Sequence, residues 1–394
     1  MIGSVRALDR ETVALGEALG RVIREDAASD SMFPPCDLSA MDGYCMAAAD
    51  AAGASPSSPA RFRVAGTIKA GDVPAARLRR GECTEIMTGA ALPEGADTVV
   101  PREIVRQEGG SIALSAPSPV GAFVRRRGKV VVAGERIGLE GRRASPQVMA
   151  LLDTLGIGRV SVTRKPRVGV IATGDELLCE GMPTDPYHIR PSNLTMLTAL
   201  VRSAGCLPAE ARTSGDSESE IVEAIDACGE CDAVVMSGGV AGGRFDLVKN
   251  ALSGAGAVIR FDEVKMRPGR RTVFATRDKM PFFCLPGNPL AAFVSFQAIA
   301  LPGLLAMQGL KDPSPEGWFA RLGGPIRVGG EDGWTTFVPG RTVAGPAVEP
   351  TEARETGDLV SLAGATCLIV LDSAASVSAG EFARVWPIPE GAVP

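Results

Sequence analysis

"PRVGVIATGDELL", residues 166–178, reads as a short apolar strand that empties into a polar loop. Val168, Val170 and Ile171 favour extended backbone, so a strand is predicted over 167–172, ending at Thr173-Gly174. Two later stretches repeat the arrangement: "CDAVVMSGGVAGGRFD" (231–246) and "PFFCLPGNP" (281–289). Between them lie amphipathic segments. "SNLTMLTALVRSAGC" carries Leu194, Leu197, Leu200 and Val201 at helical spacing behind Ser192 and Asn193 as candidate caps. "SESEIVEAIDACG" and "RFDLVKNALSGAG" supply two more helices, and Asn288 as N-cap with Pro289 at N1 opens another over 289–301. Strands alternating with helices build βαβ units, hence an α/β fold with a largely parallel, doubly wound sheet.

Outside 164–310 the texture changes. Residues 31–124 mix Pro, Gly and Ala with short alternating runs such as "RFRVAGTIKAG" and "ECTEIMTGA", the pattern of a small β-rich inserted domain. Residues 311–394 read as short strands between Gly/Pro turns and predict a C-terminal β-barrel or sandwich, with the barrel preferred. The flanks 1–30 and 125–163 contain expected helices in "ETVALGEALGRVIRED" (11–26) and "SPQVMALLDTLGIG" (145–158).

At 394 residues the chain exceeds one ordinary core, so several domains are required. A net charge of −5 argues against a dominant nucleic-acid partner, which needs a basic face to neutralise phosphates. Nine cysteines, odd in number and scattered, behind an N-terminus with no signal-peptide apolar core, fit free thiols in the cytoplasm. The uncharged stretch 281–310 is long enough to nominate a membrane span, but Pro281, Pro286, Pro289 and Pro302 divide it, which favours a buried core element. His188 is the only histidine, so the chemistry falls to carboxylates, arginines, backbone amides and a bound metal. The lone "CGEC" (228–231) has too few ligands for a zinc ribbon; it is either a redox pair or two structural thiols.

In open α/β sheets ligands gather at the carboxyl ends of strands. Three loops qualify here, "TGDEL", "SGGVAGGRFD" and "LPGNP", and their glycines let backbone approach an anion closely. Neither GxGxxG nor GxxxxGK[ST] is present, so a dinucleotide fold and a P-loop are poorly supported. Asp175, Glu176 and Asp246 at an anion site require a cation between them, for which Mg²⁺ is suited; the alternative is that Asp175 and Glu176 cap a helix. "MRPGRRTV" offers Arg267, Arg270 and Arg271 around a Pro-Gly turn, either an oxyanion fork or a solvated basic turn. "FPPCDLSAMDGYCM" and "EIMTGAALPEGADTVVP" add Asp42 and Thr88-Gly89, either as site residues or as turn chemistry alone.

These segments, in this order, resemble the molybdopterin molybdenumtransferase (MoeA) family, which includes the gephyrin E domain. "PPCDLSAMDGYCM", "IMTGAALPEGADTVV", "IATGDEL", "MSGGVAGGRFD" and "CLPGNPLAAFVSF" each match a motif of that family. The resemblance implies a central molybdopterin-binding α/β domain, a pairing of 1–30 with 125–163 as an elongated linker and dimerisation domain, a homodimer, and Mg²⁺-dependent insertion of molybdate into adenylylated molybdopterin with release of AMP. It implies catalytic roles for Asp42, Thr88, Glu176 and Asp246, and metal contacts from Asp175, Glu176 and Asp246. It also implies cofactor contacts from Thr173, Gly174, Asp175, Ser237, Gly238, Gly239, Arg267, Arg270, Pro286 and Pro289. An upstream molybdopterin adenylyltransferase and recipient molybdoenzymes are the implied protein partners; no nucleic acid or membrane is.

Several positions depart from the family pattern. Ala241-Gly242 replace a serine-valine pair, Lys129-Val130 an acidic pair, and Pro339 an arginine, with Arg341 nearby. "HIRP" (188–191) stands where the family usually has an aspartate before Ser192-Asn193, and exchanging an acid for a base shifts the local potential by two charges. A non-catalytic carrier of molybdopterin or of the finished cofactor is therefore the alternative to an active transferase.

Overall fold

The computed structural model describes the chain except for residues 75–76, 179–180, 182–184, 240–246, 328–332, 344, 346, 352–356, 373–375 and 389–394. Its centre is a six-stranded sheet. In chain order the elements are β1 (Arg167–Thr173), α1 (Ser192–Ser203), β2 (Leu207–Ser214), α2 (Glu218–Ala227), β3 (Ala233–Ser237), α3 (Leu247–Gly254), β4 (Val258–Phe261), β5 (Val273–Arg277), β6 (Met280–Leu285) and α4 (Pro289–Ser295). The strands lie in the order β2-β1-β3-β6-β5-β4. β2, β1, β3 and β6 run parallel, while β5 and β4 form an antiparallel edge. The short β5–β6 connection allows only a hairpin there, because a parallel crossover needs a dozen residues or more.

Strand alternation divides the core in two. Val234, Met236, Phe282 and Cys284 face α2 and α3, with Ile221, Ile225, Val248 and Leu252. Val168, Val170, Val235, Phe283 and Leu285 face the other side, against Leu197 and Val201 of α1 and Phe296 and Leu304 beyond α4. All of these are buried, and each contributes about 1.5–3 kcal/mol from burial. Near-continuous apolar runs such as "AVVM" belong to strands covered on both faces.

The apolar stretch after β6 stays helical from Pro289 to Met307 and is mostly buried. Pro302 does not break it as the sequence suggests. A π-helical turn at Phe296–Ala300 precedes it, and Pro302 falls in the first turn of Leu301–Met307, where its missing N–H is tolerated.

Residues 43–114 carry a second six-stranded sheet, and in the C-terminal region Trp318–Leu322, Thr335–Val343, Ala347–Pro350, Cys367–Leu371 and Phe382–Pro387 close into a five-stranded barrel. Met266–Arg267 adds to that barrel as a parallel strand beside Thr335–Thr336, coupling the arginine turn of the α/β region to it. The helix expected in 11–26 is absent. Arg10–Ala14 instead pairs antiparallel with Arg159–Thr163, followed by a single turn at Leu15–Glu17. Thr12 and Val13 favour the strand, Gly16 and Gly20 weaken a helix, and the distant partner strand decides between them. The helix in 145–158 forms as Pro146–Thr154, with Ser145 accepting from the Val148 N–H.

"CGEC" folds as a turn that packs both thiols over Gly169, where an added Cβ would lie 2.4 Å from Cys228 Sγ and 3.6 Å from Cys231 Sγ. The two thiols share a hydrogen bond that pushes Cys228 up and Cys231 down from the ordinary thiol range.

Candidate active site

The loops that leave β1, β3 and β6 converge on a cleft of about 450 Å³. Thr173 and Glu176 enter it from the first loop, Ser237, Gly238 and Gly239 from the second, and Pro286, Asn288 and Pro289 from the third. The strand order places the chain reversal between β1 and β3, where open α/β sheets bind ligands.

Side-chain hydrogen bonds fix the floor. Asn193 Nδ2 donates to Ser237 Oγ at 2.9 Å and to the Gly287 carbonyl at 2.7 Å, and Ser237 Oγ donates to the Pro286 carbonyl at 3.0 Å. Asn193 is thus a cross-brace rather than the cap its position suggests; α1 begins behind Pro191 with no side-chain cap. Asn288 does cap α4, accepting from the Ala291 N–H at 3.1 Å. Two floor atoms have no partner: Thr173 Oγ1 and Asn193 Oδ1 are buried and unbonded. Buried polar atoms are normally paired, so these two point to a ligand. Thr173 and Val248 explain the glycines opposite. A Cβ on Gly238, at φ +106°, would lie 2.3 Å from the Thr173 carbonyl oxygen, and one on Gly239 2.6 Å from Val248.

Acids gather along one side. Glu176 and Asp216 line the cleft. Asp175 turns away to accept the Asp216 N–H at 2.8 Å and lines a separate hollow with Glu220. Burial, and then the charges of Asp175, Glu176 and Glu220, push the Asp216 carboxyl above the usual carboxylate range. Asp216, at the carboxyl end of β2, was not singled out by its sequence. The strand-end rule that selected the other loops would have found it. No helix starts at Asp175-Glu176 in the described residues, so neither acid caps one there. Asp246, Ala241 and Gly242 lie outside the described residues.

The arginine turn divides its side chains. Arg271 lines the cleft and pairs with Glu263 at 2.8 Å. Arg267 and Arg270 do not line it. Their guanidiniums lie 4.9 and 5.8 Å from the Trp334 ring, and Arg270 also pairs with Glu263. Arg190 lines the cleft as well, from the segment that pairs Ile189 with Leu177.

Asp42 and Thr88 are brought together elsewhere. Gly43–Met46 and Glu82–Ile86 pair antiparallel, which sets Asp42 and Thr88 at neighbouring strand ends. Asp42 Oδ1 accepts from both the Thr88 N–H and its hydroxyl, each at 2.7 Å, and these bonds hold the carboxyl below its usual range. No described residue from this region lines the cleft within the chain. Pro339 is buried in the barrel strand Thr335–Val343, and Arg341 sits on the surface beside Glu349 at 3.6 Å. Lys129 and Val130 are exposed.

Comparison with known proteins agrees with this architecture. Residues 2–156 match the MoeA N-terminal region (domain I and II), and residues 169–306 match the probable molybdopterin binding domain. Molybdopterin molybdenumtransferase 2 of Mycobacterium tuberculosis (strain ATCC 25618 / H37Rv) is 36% identical over 315 residues, 78% of each chain. The molybdopterin molybdenumtransferase of Bacillus subtilis (strain 168) is 37% identical over 299 residues, covering 75% of this chain and 70% of its own. The crystal structure of the molybdopterin biosynthesis moeA protein from Pyrococcus horikoshii OT3 has a TM-score of 0.84 at 27% identity, covering 98% of this chain and 97% of that one. Identity of this order over most of both chains, on one fold from linker to barrel, assigns the sequence: it belongs to the molybdopterin molybdenumtransferase family, transferases of molybdenum cofactor biosynthesis.

Proposed function

We propose that this cleft inserts molybdate into adenylylated molybdopterin with release of AMP, in a Mg²⁺-dependent reaction. The observation that carries the reading is the pair of buried, unpartnered atoms, Thr173 Oγ1 and Asn193 Oδ1, on a floor that glycines keep open. Ser237, Gly238 and Gly239 give a phosphoryl or molybdate oxyanion close access to backbone. The amino end of the helix that starts at Pro289 adds a favourable potential for negative charge. Thr173 donates its hydroxyl proton to a ligand oxygen, and Asn193 Oδ1 accepts from a ligand donor.

Among the described residues no group of three or more His, Cys, Asp or Glu side chains is placed to hold a metal. Magnesium asks for less: one or two carboxylates, with substrate oxygens and water completing the shell. Glu176 and Asp216 meet that need, and the crowding that raises the Asp216 carboxyl is relieved by a cation. Asp246 is proposed as a further ligand. Held by these residues, Mg²⁺ would supply charge neutralisation at the phosphoanhydride. The glycine floor seats the anhydride, Glu176 and Asp216 serve the ion rather than the substrate, and Arg271, shared with Glu263, faces the departing phosphate. Arg267 and Arg270 stand as an approach for molybdate beside Trp334.

We further propose a homodimer in which Asp42 and Thr88 complete the partner's cleft, and a cytoplasmic setting between a molybdopterin adenylyltransferase and recipient molybdoenzymes. The four regions 1–30 with 125–163, 31–124, 164–310 and 311–394 are the proposed domains. A carrier role is the second reading, favoured by one observation: Pro339, buried in the barrel, offers no cation where the family usually has arginine. Equilibrium binding of adenylylated molybdopterin with and without Mg²⁺ tests the site. Affinity that rises with Mg²⁺ and loses that rise in Asp216→Asn supports it; binding indifferent to both refutes the metal assignment.

A further inference from the structure

Among the described residues, four charged side chains line the cleft: Glu176, Asp216, Arg190 and Arg271. Arg271 is answered by Glu263 at 2.8 Å. The Arg190 guanidinium has no hydrogen-bond or ion-pair partner among the described residues. Without it, two acids would face one neutralised arginine, an unsuitable field for a substrate that is itself an anion. The base of Arg190 is held firmly. The Ile189 N–H donates to the Glu176 carbonyl at 2.7 Å, the Leu178 N–H to the Ile189 carbonyl at 2.9 Å, and the Ser192 N–H to the Arg190 carbonyl at 2.7 Å. The backbone that carries this exposed side chain is therefore fixed, so little backbone freedom is lost when the guanidinium forks onto an oxyanion.

Its position adds a second constraint. An apolar groove of about 620 Å³ runs between α1, Phe293 and the short barrel helix Leu359–Ala363, and it shares Arg190, Pro191 and Ser192 with the cleft. Arg190 therefore stands where the two cavities meet, able to face an anionic group of a ligand in the cleft. The buried, unpartnered Thr173 Oγ1 in that same cleft, on a residue only 5% exposed, points independently to a bound ligand.

We propose that Arg190 is a specificity-determining contact of this cleft, forking onto a tetrahedral oxyanion of the reactants. The inference rests on the functional reading above, and two sources share the chemistry: the phosphate of the nucleotide and molybdate itself. Titration calorimetry with AMP and, separately, with sodium molybdate, both with Mg²⁺, tells them apart. Wild type, Arg190→Gln and Arg190→Lys are compared, each checked for native circular dichroism and melting.

Arg190→Gln is expected to weaken one of the two ligands by about 10- to 100-fold, as for a lost charge-assisted hydrogen bond. The salt dependence of that binding falls with it, and Arg190→Lys recovers only part because it cannot fork. Loss confined to AMP assigns the phosphate, and loss confined to molybdate assigns the metal oxyanion. Wild-type binding of both ligands that Arg190→Gln leaves intact overturns the proposal alone. A folded wild type that binds neither ligand overturns the functional reading along with it.

Discussion

Asn193 and Ser237 are joined by a 2.9 Å hydrogen bond that ties the first turn of α1 to the end of β3, and the same Asn193 amide reaches the Gly287 carbonyl at 2.7 Å. One side chain thereby sets the spacing of the second and third loops of the cleft. Asn193→Ala leaves two acceptors without their donor and should cost about 1–3 kcal/mol in denaturant unfolding. Ligand affinity should fall further than stability, because the loops lose their common brace. A variant with normal affinity would show that the brace is unnecessary.

Thr173 makes the opposite prediction. Its hydroxyl has no partner within the protein, so Thr173→Val removes a buried unsatisfied group and should leave the ligand-free protein as stable or slightly more so. Binding of adenylylated molybdopterin should weaken about tenfold, the worth of one hydrogen bond to a charged group. Loss of stability without loss of affinity would assign the hydroxyl to the fold instead.

Asp216 should trade stability for binding. Burial and neighbouring acids raise its carboxyl, so the ionised form is disfavoured on folding. A group raised in this way contributes stability below its unfolded pKa and loses it as pH rises through the folded value. Asp216→Asn should therefore melt higher than wild type at pH 7 without Mg²⁺, and the advantage should shrink as pH falls into the carboxylate range. Adding Mg²⁺ should raise the wild-type melting temperature and leave that of the variant unchanged. Melting curves across pH, with and without the ion, check both statements.

The α/β region was legible because its signals are local: apolar runs, glycine loops and the Asn288-Pro289 cap sit within a few residues of one another. The barrel was readable as strands and turns. The extended course of Arg10–Ala14 was not, since its deciding partner, Arg159–Thr163, lies about 150 residues away in the chain. Site residues divide the same way. Thr173, Glu176 and Ser237–Gly239 follow from strand ends, whereas the roles of Asn193 and Asp216 depend on which loops the sheet order brings together. Arg271 lines the cleft while Arg267 and Arg270 lie near Trp334, a barrel residue whose proximity no spacing in "MRPGRR" encodes.

The most direct test of the central claim is AMP release from adenylylated molybdopterin by the purified protein with Mg²⁺ and molybdate, run beside Glu176→Gln. The account predicts release that depends on molybdate in wild type and is lost in the variant, while both proteins remain folded. Tight binding of the adenylate by folded, dimeric wild type with no AMP above background would contradict it and establish the carrier reading in its place.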